Sequence, residues 1–85
     1  MAVHSRAISD ITFDHFIYGE TPTGVINSIN KIFVLSNIPR VGTVRIILNG
    51  MLQNEIDDYN IVNNIITFIK SPRTNSNILV HYIKS

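Results

Sequence analysis

Apolar and polar residues alternate along this chain in short runs divided by Gly, Pro and Asn, the pattern of β-strands joined by tight turns. Residues 8–18 alternate loosely and stop at Gly19, and Glu20-Thr21-Pro22-Thr23-Gly24 reads as a turn in which Pro fixes φ and Gly admits a positive one. Residues 31–36 form a predicted strand closed by Asn37-Ile38-Pro39. Residues 43–48 form another, closed by Asn49-Gly50, the strongest short hairpin signal. Met51-Leu52-Gln53 then starts back. Residues 59–62 and 65–69 flank Asn63-Asn64, a two-residue turn whose members both tolerate positive φ. After a polar loop at 71–76 the last strand runs from Asn77 to about Ile83. No stretch shows helical spacing with caps. The expectation is an all-β fold: a small antiparallel β-sandwich or barrel-like module of six to seven strands, one domain over residues 1–85, with residues 1–7 as an N-terminal arm.

A free-standing sandwich strand has one apolar and one polar face. Here both faces are often apolar. Assigning Phe33, Leu35, Val44, Ile46, Leu48, Ile66, Phe68, Val80 and Tyr82 to the core leaves Ile32, Val34, Ile47, Ile65, Ile69, Leu79 and Ile83 pointing outward. Each such side chain would contribute roughly 1.5–3 kcal/mol if an external surface covered it. This set is therefore the predicted protein-interface site, weighed against cover by the arm or first strand of the same chain.

Size and composition sharpen that expectation. A domain of 85 residues has a thin core, and with no cysteine it cannot be stapled by disulfides, so oligomeric burial is the natural supplement. Charged residues make up 15% of the chain, below the roughly 25% usual for soluble domains, while 45% is hydrophobic. A net charge of +1 provides no concentrated basic face for nucleic acid. No apolar run approaches the roughly 20 residues that span a bilayer, so no membrane partner is expected. The N-terminus has no apolar core of a signal peptide behind its basic residue.

The residues that could carry chemistry do not assemble into a recognisable device. His4, His15 and His81 lack metal-ligand spacing, and His81 reads as a face-lining or hydrogen-bonded residue of the last strand. Glu55, Asp57 and Asp58 lack the spacing of an EF-type calcium loop; Asp58 more naturally bonds backbone amides in its turn. Asp10 and Asp14 could form a carboxylate pair, but nothing nearby suggests a cleft. There is no nucleophile elbow and no phosphate-cradling Gly-rich loop. Arg40, Arg45, Lys70, Arg73 and Lys84 are dispersed, as solvated charges that discourage open-ended strand pairing would be. No catalytic residue, metal or cofactor is expected.

The series Thr21-Pro22-Thr23-Gly24, Asn27 before Phe33-Val34-Leu35, Pro39, Val44-Arg45-Ile46-Ile47-Leu48-Asn49-Gly50-Met51-Leu52-Gln53, Asp58-Tyr59, Ile66-Thr67-Phe68 and Val80-His81-Tyr82 spans residues 20–83. In that order it resembles a β module of tailed-bacteriophage virion structural proteins, found in capsid accessory proteins, tail fibres and baseplates. The resemblance implies a non-enzymatic structural protein with no catalytic residues to carry over. Ile32, Val34 and Ile65 are aliphatic where that family often has Thr or Ser. The module also stands nearly alone, whereas in fibres it is one part of a longer chain. Both departures favour a capsid-associated accessory subunit, of the decoration, cement or head-fibre-anchoring kind, over a tail, neck or baseplate component. A carbohydrate- or receptor-binding module ranks third. The implied partners are major capsid protein or other virion proteins and further copies of the chain. The implied location is the virion, assembled in the host bacterial cytoplasm.

Overall fold

A computed structural model describes residues 15–85. The predicted arm at 1–7 and most of the first alternating run lie outside the described residues. The described chain is all-β, with seven strands: β1 (Phe16–Glu20), β2 (Ile32–Val34), β3 (Arg45–Leu48), β4 (Met51–Leu52), β5 (Tyr59–Val62), β6 (Ile65–Phe68) and β7 (Ile78–Ile83). They form two antiparallel sheets packed as a small β-sandwich. Sheet A has the order β1-β7-β3-β4, and sheet B the order β2-β6-β5.

Local sequence explains the hairpins. Asn49 and Gly50 both take positive φ (52° and 83°), as a two-residue turn between twisted strands requires, and Leu48 pairs with Met51 across it. In the β5–β6 turn only Asn63 carries a positive φ (55°). Asn64 instead clamps the chain just past β2: its carbonyl accepts from the Leu35 N–H (2.8 Å) and its Nδ2 donates to the Leu35 carbonyl (3.0 Å).

Residues 20–24 do not close into the turn the sequence suggests: Glu20 ends β1, Thr23 bridges to Val34 and only Gly24 lies in a bend. Gly24 does not have a positive φ. Its hydrogen is needed because a Cβ there would lie 2.4 Å from the Phe33 ring. The close approach seats Thr23 against β2, where Thr23 and Val34 exchange both backbone hydrogen bonds at 2.9 Å. Positive φ falls earlier, at Gly19 (70°), where the β1–β7 register slips between Ile17 and Glu20.

The core lies between the sheets. Phe33, Leu35, Val44, Ile46, Ile66, Phe68, Val80 and Tyr82 are buried as expected, and Leu48 is partly buried against them. Tyr59 and Ile78, absent from the predicted core, belong to it as well. Phe33 and Phe68 meet edge-to-face with centroids 5.6 Å apart. One polar device penetrates this region: the Tyr82 hydroxyl donates to Glu20 Oε1 (2.5 Å) and accepts from Asn37 Nδ2 (3.2 Å), while Glu20 Oε2 accepts from the Ser36 N–H (2.7 Å). β1, β7 and the β2–β3 connection are tied together there. Burial, then the Glu20 hydrogen bond, pushes the Tyr82 phenol above its usual range.

Candidate interaction surfaces

Register decides which outward residues share a surface. In sheet B, Val34 pairs with Ile65 and Ile65 with Val62, so one aliphatic row crosses all three strands. The next row is Ile32, Thr67 and Asn60. Exposures of 54% at Ile32, 38% at Val34, 43% at Ile65 and 67% at Val62 show that little covers this face. Ile69, next outward position after Thr67 on the same strand line, is also exposed. The six in-register positions include no ionisable group.

The outer face of sheet A is of a different kind. Ile47 sits between Leu79 on β7 and Leu52 on β4, and Ile83 lies opposite Phe16. Ile47, Leu79 and Ile83 are only partly exposed. Arg45 pairs with His81 across the middle of this face. The Gly19 N–H donates to His81 Nδ1 (2.7 Å), and the exposed Tyr18 ring stands 5.9 Å from the imidazole. His81 is thus a hydrogen-bonded face residue.

The seven outward positions therefore divide between opposite sides of the sandwich. Ile32, Val34, Ile65 and Ile69 belong to sheet B, and Ile47, Leu79 and Ile83 to sheet A. Alternation within a strand distinguishes in from out, but it does not say which sheet a strand joins. Val62, which the sequence reading assigns to neither face, is the most exposed member of the row. Leu52, Ile56 and Val41 are further exposed aliphatics that lie outside the longer alternating runs.

The edges of sheet B differ as much as the faces do. On β2, Thr23 occupies both backbone groups of Val34, and the Asn30 side chain occupies both of Ile32, accepting from its N–H (3.2 Å) and donating to its carbonyl (2.8 Å). That edge is sealed. On β5 the N–H and C=O of Ile61 point away from β6, since Asn60 and Val62 hold the bonded positions of the hairpin.

A cleft of about 370 Å³ is lined by Gln53, Asp57, Asp58, Lys70 and Arg73 among others. Much of its polar lining is committed internally. Asp58 Oδ2 accepts from the Asn54 N–H (2.8 Å), and the Asn49 side chain bonds Asn77 (2.8 Å) and Ser76 (3.3 Å). Asp58 is accordingly a turn residue, and the cleft presents no exposed aromatic ring on which a sugar could stack. Among the described residues no group of three or more His, Asp or Glu is placed to hold a metal ion. No helix there is long and apolar enough to cross a membrane.

Comparison with known proteins adds no family. No family model, no curated protein and no solved structure matches the chain.

Proposed function

We propose that this chain is a non-enzymatic structural protein of a bacteriophage particle, a capsid-associated accessory subunit of the decoration, cement or head-fibre-anchoring kind. It would be held in place by burial of aliphatic surface. The observation that carries the structural part is the uncharged row Val34–Ile65–Val62 across sheet B, with Ile32 and Ile69 beside it. Protein contact is the chemistry such a surface suits: it offers nothing to polarise a substrate, and its covering would stabilise an assembly by roughly 25 cal/mol for each Å² of apolar area removed from water. The placement in a phage particle rests on the ordered likeness over residues 20–83.

The test is quantitative mass spectrometry of virions purified from the phage that encodes the chain. The protein should be recovered in fixed stoichiometry with the major capsid protein, and Val62→Asp should lower its copy number at least tenfold while the purified variant keeps the wild-type circular dichroism spectrum. Absence of the wild-type protein from purified particles would overturn the proposal. Labelling on intact particles distinguishes head from tail, a tail position selecting the tail, neck or baseplate alternative.

A further inference from the structure

We infer that the outer face of sheet B is a self-association surface, its occupant being the same face of a second copy packed about a two-fold axis near Ile65 on the central strand β6. This inference builds on the structural reading above and names the partner of that surface.

Charge favours a second copy. In an isologous contact every residue near the axis meets its own counterpart, so a charge near the centre opposes itself. Ile32, Val34, Asn60, Val62, Ile65 and Thr67 present none. The other face has Arg45 and His81 in its central register, with Arg45 bonded to the Gly42 and Val44 carbonyls, so an isologous contact there would bury like charges near its centre.

Area sets the strength. The exposed parts of Ile32, Val34, Val62, Ile65 and Ile69 amount to about 400 Å² of aliphatic surface per copy, so with its polar rim a face-to-face contact would bury near 1,000 Å² in total. That is the lower bound of specific interfaces, the size of a weak, reversible contact and not of an obligate dimer. Edge chemistry supports stacking over lateral growth. The β2 edge is closed by Asn30 and Thr23, and on β5 the Ile56 N–H occupies the Tyr59 carbonyl (2.6 Å), leaving Ile61 with little strand to pair. Two sheets with sealed or shortened edges associate through their faces, about 10 Å apart and with strands nearly aligned.

The test is sedimentation velocity on the full chain across roughly 1 µM to 1 mM. The decisive variant is Ile32→Thr/Val34→Thr/Ile65→Thr, because Thr keeps the β-branched shape and strand preference while removing the aliphatic surface. The control is Leu79→Thr on the opposite face. Wild type and Leu79→Thr should dimerise with similar constants, and the triple variant, folded by circular dichroism, should associate at least tenfold more weakly. Should the triple variant fail to fold, Val62→Asp on the exposed edge strand takes its place. A wild-type protein that stays monomeric throughout, or a triple variant that dimerises as well as wild type, overturns the inference. Incorporation into particles is read separately. A monomeric wild type whose triple variant is lost from virions leaves the structural role standing with a different occupant, while a dimer absent from particles removes the role and leaves the dimer.

Discussion

Gly24→Ala is the smallest change that strikes at this architecture. A Cβ at position 24 would stand 2.4 and 2.8 Å from two carbons of the Phe33 ring and 3.0 Å from the Ile32 carbonyl oxygen. The ring cannot retreat: Phe33 is wholly buried and edge-on to Phe68 at 5.6 Å. The backbone itself tolerates Ala, because φ at Gly24 is not positive. Restricting the unfolded chain would then favour Ala by about 0.4–1 kcal/mol. Overpacking a filled core costs about 1–3 kcal/mol, and at this contact distance the upper part of that range applies. The expected result is a net loss of about 2 kcal/mol, or roughly 10 °C in Tm for a domain of this size. Urea titration monitored by circular dichroism measures it. Phe33→Leu, although destabilising alone, should relieve the clash, so a double-mutant cycle should show a favourable coupling of about 1 kcal/mol or more. A Gly24→Ala protein as stable as wild type, or a penalty unchanged in the Phe33→Leu background, would refute the reasoning. Because the close approach of Gly24 to Phe33 seats Thr23 on Val34, the same substitution should also loosen the seal on the β2 edge.

Other perturbations test the remaining contacts. Tyr82→Phe removes the donor to Glu20 and should cost about 1–2 kcal/mol by urea unfolding, with an unchanged midpoint counting against the role given to this network. Tyr82 and Tyr59 both have phenols raised above their ordinary value of 10.0, in each case chiefly by burial. Below that pH both folded and unfolded chains keep the protons, whereas above it the unfolded chain releases them first, so stability should fall as pH rises from about 10 through the folded values. The urea midpoint followed into alkali measures this, Tyr82→Phe should flatten the decline, and a midpoint insensitive to alkaline pH would contradict the burial of both rings. Asn30→Ala frees both backbone groups of Ile32 and should raise concentration-dependent light scattering with a modest loss of stability; unchanged scattering would mean that the edge is protected in another way. Ile56 is a β-branched residue at φ 80° with an exposed side chain, so Ile56→Gly should be neutral or stabilising by up to about 1 kcal/mol, and a clear loss of stability would show that its side chain contributes more than its strained backbone costs.

Much of the fold can be read from local sequence. Period-two alternation marks the strands from β2 onward and most of the core, and Asn49-Gly50 dictates its hairpin, because those signals arise from side-chain direction and from backbone φ within a few residues. Tyr59 is not distinguished by such a reading because its four-residue run has apolar residues on both faces, Ile61 on one and Val62 on the other, so only its packing against β6 shows which face is inward. Gly24 reads as a turn residue for a conformational reason, whereas the need for it comes from a ring nine residues away. The outward aliphatics show the same division. Their direction is a local property of each strand, but whether Ile32 and Ile47 lie on one surface depends on which strands hydrogen-bond to which. Only the order β1-β7-β3-β4 against β2-β6-β5 places them on opposite sides. The sealing of β2 by Asn30 and Thr23 was equally invisible along the chain. The amino-acid order by itself determined the strands, their turns and the excess of aliphatic surface. Long-range pairing, whose energy no local window contains, decided how that surface is divided and which of its parts remains open.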